Sequence, residues 1–233
     1  MGNGEVIAFF VQPPPQSLGF AAYGLACLSG ALANVVCDEF LADLGHPWAR
    51  LSQHGVWLRV GRWLALILGC VIAVMTSEPA EAYARMIGVA VFGVIAGCDL
   101  ESWHVPPDWY TIGGAVGMVG VWGVAGGLRA AADAALAQAF CYGAMVFGVA
   151  VLKVAAGGDI KLMMLYGAVL GGIVAVGWAF VMEWLVRVVW MFFWALGVAS
   201  REGVEAVVAR GRGLRAPHGP FAWLGVVLWF AVL

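Results

Sequence analysis

The sequence predicts an all-α, polytopic membrane helix bundle, on three observations. Apolar residues make up 63% of the 233 and charged residues only 11%, against about 45–50% and about 25% in ordinary soluble domains. A soluble globule of this size has too little interior to hide that much apolar surface. The apolar residues also gather in runs of the length a bilayer needs, about 20 residues for about 30 Å of hydrocarbon. Finally, 33 glycines suit the close helix–helix contact that drives association in lipid. The net charge of -2, from 12 basic and 14 acidic residues, leaves no basic footprint. The lipid bilayer is therefore the expected surroundings, and nucleic acid is not expected as a partner.

Eight spans are predicted, in order 17–37, 57–76, 84–98, 109–128, 134–155, 162–181, 185–199 and 217–233. Pro13, Pro14 and Pro15 make a short rigid approach to the first. The third is the uninterrupted run from Ile87 to Cys98 with its flank, closed by Asp99. The fourth and fifth open behind Asp108 and Asp133, each a candidate helix cap. Residues 160–200 are too many for one crossing, and Glu183 and Arg187, four apart in their middle, read as a wet hairpin between the sixth and seventh spans. Residues 211–213, Gly-Arg-Gly with further arginines nearby, read as a solvated turn.

An even number of spans puts both termini on one side. Arg50, Arg59, Arg62, Lys153, Lys161, Arg201, Arg210, Arg212 and Arg215 then fall on the other, while Arg85, Arg129 and Arg187 share the side of the termini. The positive-inside rule places the first group in the cytoplasm and both termini outside, which is periplasmic in a bacterial inner membrane. The largest cytoplasmic pieces are 38–56, 99–108 and 201–216, none long enough to bury a core of its own. The whole chain, 1–233, therefore reads as a single integral-membrane domain. Met1 to Val11 lacks the positive start of a cleavable signal peptide. Cys27, Cys37, Cys70, Cys98 and Cys141 lie in or beside apolar runs without Cys-x-x-Cys spacing. They read as small packing residues, with neither a zinc site nor a disulfide framework expected.

Most of the carboxylates fall in loops or at span ends, where solvation or capping accounts for them. Asp99 and Asp159 stand apart. Asp99 closes the third span, and Asp159 follows Ala155-Ala156-Gly157-Gly158 at the start of the sixth. Both emerge at the cytoplasmic face from different helices. They are either two helix-end aspartates or a pair brought together by packing. Two carboxylates in close approach cannot both ionise near neutral pH, so one serves as base and the other as acid. Such a pair activates water against a peptide carbonyl.

The segment Ala156-Gly157-Gly158-Asp159-Ile160-Lys161-Leu162 resembles the Gly-x-Gly-Asp motif of the type IV prepilin peptidases. Asp99-Leu100-Glu101-Ser102-Trp103-His104-Val105-Pro106-Pro107-Asp108-Trp109 resembles their first aspartate motif, an Asp followed after about six residues by a Pro and then the next helix. Residues 28–36, Leu-Ser-Gly-Ala-Leu-Ala-Asn-Val-Val, are similar to a stretch of the family's first helix. Pro217-His218-Gly219-Pro220-Phe221-Ala222 is similar to the opening of its last. The four segments keep family order. Ala156 stands where the motif's first glycine is expected, Pro107 follows Pro106, and Ala31 replaces a Ser or Phe. Residues 38–56 hold no cysteine, whereas bifunctional members carry a cysteine-paired cytoplasmic domain at that place.

The resemblance implies an intramembrane aspartic endopeptidase that cuts prepilins or pseudopilins after a glycine at the cytoplasmic face, serving a pilus or secretion machine. Asp99 and Asp159 are then the catalytic pair, with Gly157, Gly158, Lys161 and Pro106 in supporting places. Lys161 reads as an interfacial anchor or as a charge beside the dyad; His104 reads as solvated loop, and Trp103 and Trp109 as interfacial anchors. No cofactor is expected: neither metal nor S-adenosylmethionine, and so no N-methylation. The rival readings are an archaeal-type preflagellin peptidase, a small transporter or channel with Asp99 and Asp159 on a proton path, and an inactive scaffold of a pilus or secretion machine.

Overall fold

The computed structural model describes residues 20–43, 53–102, 106–152, 157–211 and 218–232. All regular secondary structure among them is helical. In chain order the elements are α1 (Phe20–Asp43), α2 (Gln53–Met75), α3 (Pro79–Ser102), α4 (Asp108–Phe147), a π-helical turn (Gly148–Leu152), α5 (Gly157–Leu170), α6 (Ile173–Glu202), α7 (Val204–Gly211) and α8 (His218–Val232). Five helices, α1 to α4 and α6, are long and apolar enough to cross a membrane; α8 is apolar but shorter.

The distribution of side chains is that of a protein solvated by lipid. Small residues fill the interior: Ala26, Cys37, Cys70, Ala73, Cys98, Ala115, Ala137, Ala168, Ala179 and Ala222 are almost fully buried. Around them Phe92, Ile95, Tyr166 and Phe230 complete the core, while many other large apolar residues face outward, among them Trp178, Trp184, Phe192 and Phe193 on α6. Small inward residues let backbones approach, which is the main source of helix–helix attraction where lipid tails are as apolar as the core. The central helix is α3, with 67% of its apolar window buried against 17% for α6. It touches α1, α2, α4, α5 and α8.

Helix α4 is folded back on itself. At Gly127 the backbone turns to φ 74° and ψ -168°, a region open essentially to glycine alone. A Cβ placed on Gly123 would stand 3.3 Å from Cβ of Ala131. Eight residues along a straight helix span about 12 Å, so the two arms run antiparallel, meeting near the predicted boundary between the fourth and fifth spans. Asp133 lies six residues beyond that turn, exposed and inside the second arm. It is not the predicted cap, because Gly127 rather than a capped start reverses the chain.

The predicted hairpin at Glu183 and Arg187 is absent. The break lies at Gly171 and Gly172, and α6 runs unbroken from Ile173 to Glu202. Gly171 has φ 71° and leaves room for Trp122, whose indole would stand 2.6 Å from a Cβ there. Trp122 Nε1 donates to the carbonyls of Ala168 and Val169 at 3.0 and 3.3 Å, satisfying acceptors that a helix end leaves open. Glu183 avoids forcing a wet turn because Arg187 bonds it one turn along the same helix.

All three predicted cytoplasmic pieces are also partly helical. Residues 38–43 belong to α1 and 53–56 to α2, 99–102 belong to α3, and 201–216 contains α7. Arg210 of α7 pairs with Glu202 at 2.5 Å, which ties this short helix to the end of α6. Residues 1–19, 44–52, 103–105, 153–156 and 212–217 lie outside the described residues. With them lie Pro13–Pro15, Arg50, Trp103, His104, Lys153, Ala156, Arg212 and Arg215.

Candidate active site

One end of the bundle collects the C-terminal turns of α1 and α3 and the N-terminal turns of α2, α4, α5 and α8. The contacts that gather them are specific. Phe40 of α1 packs edge-on against Tyr110 of α4 and beside Trp109. Tyr110 donates its hydroxyl to the Val91 carbonyl of α3 at 3.1 Å. Asn34, fully buried on α1, reaches the Gly30 carbonyl at 2.9 Å and the Trp63 carbonyl of α2 at 3.5 Å. Gly30 lies so close to α2 that a Cβ would meet the Ile67 backbone at 2.6 Å. The stretch 28–36 thus serves to press α1 onto α2.

Asp99 sits one turn before the end of α3 and is 8% exposed. Its Oδ2 accepts the backbone N–H of Gly219 at 2.7 Å, and the His218 backbone N–H bonds it as well. These amides belong to the first turn of α8, where N–H groups have no partner within the helix and the dipole favours an anion. The side of Gly219 facing Asp99 has no room for a side chain. A Cβ there would stand 3.0 Å from the Ala96 Cα and 3.2 Å from both Cβ and Oδ2 of Asp99.

Asp159 lies in the first turn of α5, half-buried, directly after Gly157 and Gly158. Its charge and that of His218 both act on the Asp99 carboxyl. The two predicted aspartates therefore lie within range of each other's field, one on α3 and one on α5. Pro106 is buried immediately before α4. Lys161 is spent on Asp108, the two forming an ion pair between the first turns of α5 and α4. Asp108 is thus a Lys161 partner and not the predicted cap, since no side chain caps the start of α4.

Three groups near this end were not read from the sequence as part of a site. Asp38, expected in a loop, is buried in α1 and holds two arginines of α2: Arg59 Nη2 lies 2.5 Å from its Oδ2 and Arg62 Nη2 2.5 Å from its Oδ1. The Arg62 stem presses on Gly97, two residues before Asp99. Beside it, Cys37 and Cys98 bring their thiols within 3.6 Å, filling the α1–α3 contact with soft, small side chains. The third group is Glu183, 2% exposed, bonded by Arg187 and 3.2 Å from His218 Nε2. An acid and a base four apart inside a long apolar run were the available signal for it.

An almost wholly apolar groove of about 310 Å³ runs along α2, α3 and α8, flanking Asp99 through Gly97 and Leu100. Its walls include Leu58, Leu66, Pro220 and Trp223, together with Arg62. Among the described residues no three of His, Cys, Asp and Glu cluster as a metal would require. The arrangement can present two carboxylates, one held by backbone amides, at the end of an apolar helix bundle. No protein-family model, no curated protein sequence and no solved structure matches this chain.

Proposed function

We propose that the chain is an intramembrane aspartic endopeptidase of the prepilin peptidase type. It removes the leader from prepilin-like precursors after a glycine at the cytoplasmic membrane face, without methylating the new N-terminus. The observation that carries the reading is that Asp99, at the end of α3, and Asp159, in the first turn of α5, lie near enough for the Asp159 charge to act on the Asp99 carboxyl. In this reading the pair shares a proton. The ionised member takes a proton from water, the water oxygen attacks the peptide carbonyl, and the protonated member passes its proton to the departing amine. The Gly219 N–H fixes one oxygen of Asp99, so the carboxyl plane is set before substrate arrives. The apolar groove beside Asp99 suits the hydrophobic helix that follows the cleaved bond.

The same proposal includes the topology. With α4 counted as two arms and α5 and α8 as short crossings, the chain passes a bacterial inner membrane eight times and leaves both termini in the periplasm. The test is incubation of the purified protein with a prepilin precursor and S-adenosylmethionine, read by mass spectrometry. A shortened pilin with an unmethylated N-terminus supports the reading; no shortened product refutes it. One feature favours a second reading, a proton path: the buried Glu183 with the half-buried Arg187 and His218 beside it. Proton flux in liposomes, abolished by Glu183→Gln and independent of any peptide, would establish that alternative.

A further inference from the structure

A buried charged group remains that the cleavage chemistry does not use. Glu183 lies eleven residues into α6, and its Oε1 accepts from Arg187 Nε at 3.0 Å and Nη2 at 2.7 Å. That oxygen also lies 3.2 Å from His218 Nε2 on α8. Arg187 alone would neutralise Glu183 on whichever face of α6 the pair lay, since both sit on one helix. The pair is turned inward by packing against α8. A Cβ on Gly225 would stand 2.9 Å from Glu183 Cβ and 2.6 Å from the Ala179 carbonyl. The Arg187 guanidinium lies 5.0 Å over the Phe221 ring, which Trp190 meets edge-on. The first turn of α8 therefore rests on a polar shelf of α6, and its next residue, Gly219, is the one whose N–H holds Asp99.

We propose that Glu183 and His218 are positioning residues: their contact fixes the first turn of α8 so that the Gly219 N–H is aimed at Asp99 Oδ2. The consequence for cleavage rests on the peptidase reading; the geometry does not. Removing the contact frees the start of α8 to rock about its packed middle at Gly225. The amide then loses its acceptor, and Asp99 loses a donor that orders its carboxyl. The charged and titratable groups facing the contact are Arg187 on α6, Tyr166 on α5 and Asp99 on α3.

The test reads the Gly219 amide directly, by residue-resolved hydrogen exchange on the full-length protein in detergent, alongside cleavage of a prepilin precursor. Glu183→Met and His218→Phe, which nearly keep volume and remove the polar contact, are expected to speed exchange at Gly219 about tenfold, the scale of a lost hydrogen bond to a charged group. His218→Gln, which keeps a polar group facing Glu183, is expected to stay near the wild type. In cleavage, the first two variants lose about tenfold in kcat with KM within about twofold, since the change touches the reacting carboxyl and not the substrate groove. If Glu183→Met fails to insert, the comparison of His218→Phe with His218→Gln carries the test alone. Wild-type exchange at Gly219 in His218→Phe overturns the proposal whatever cleavage does. Absence of cleavage by the wild type overturns the peptidase reading and leaves the exchange measurement standing.

Discussion

Gly219→Ala puts one methyl group against the candidate carboxylate, and its effect follows from the distances. The new Cβ would begin 3.0 Å from the Ala96 Cα and 3.2 Å from Asp99 Cβ, where carbon atoms settle at about 3.5–4.0 Å. Ala96 is backbone of the central helix and does not yield, so α8 must retreat by about 0.5–1 Å. The Gly219 N–H to Asp99 bond, now 2.7 Å, then lengthens to or past the limit of about 3.2 Å for such a bond. A hydrogen bond to a charged group contributes about 1.5–3 kcal/mol, which corresponds to a loss of about ten- to a hundredfold in kcat if the bond is equally needed in the transition state. The assay is mass-spectrometric cleavage kinetics of a prepilin precursor in nanodiscs, with helicity and elution volume as checks on folding. Gly24→Ala, placed where a Cβ meets nothing within 4 Å, is the control. Gly219→Ala cleaving as fast as Gly24→Ala would refute the argument that this backbone amide sets the Asp99 carboxyl.

Three further outcomes are expected. Asp99→Ala and Asp159→Ala each abolish cleavage in an inserted protein, and the double variant is no worse than either, because a pair that shares a proton acts as one unit; near-normal cleavage by one single variant removes that residue from the dyad. Asp38→Ala takes the shared carboxylate from Arg59 and Arg62 and lowers stability by about 3 kcal/mol, the lower end for breaking a buried ion pair, read as a fall in thermal midpoint in detergent; an unchanged midpoint contradicts it. In a chain otherwise freed of cysteine, a cysteine at Arg201 reacts with an impermeant maleimide only from the cytoplasmic side and one at Glu78 only from the periplasmic side; the opposite pattern overturns the orientation.

The helical class was legible from composition alone, because runs of about 20 apolar residues leave the backbone no other way to satisfy itself in lipid. The turn between the two arms of α4 was placed almost correctly, since the apolar run weakens around Arg129 and Asp133. The placement of Glu183 failed for a definite reason. Hydropathy treats an acid in an apolar run as a boundary, but an acid bonded within its own helix can stay inside. Only the fold reveals the third partner, His218, which lies 35 residues further along the chain. The same holds for Asp38, whose arginines at 59 and 62 were read as flanking charges and are instead its buried partners. Asp99 and Asp159 were found by pattern, and their common location is a property of helix packing that no spacing in the chain expresses. Gly219 was quoted as part of a motif, but its purpose is steric and becomes visible only beside Ala96.

The lengths of the helices bear on the shape of the surrounding lipid. α6 has 30 residues and extends about 45 Å, half as long again as a hydrocarbon core of about 30 Å. α5 and α8 have 14 and 15 residues and reach only about 21–23 Å. A bilayer meets a short hydrophobic element by thinning around it and a long one by letting it tilt. The short elements are the ones whose first turns carry Asp159 and Gly219, so in the proposed eight-span topology the membrane would be drawn down toward the carboxylates, with tall α6 at their flank. Water and headgroups would thereby come within reach of groups that a bilayer of even thickness would seal off. Bilayers of longer acyl chains would raise the lipid around this dip, making lipid thickness a dial on the accessibility of the site.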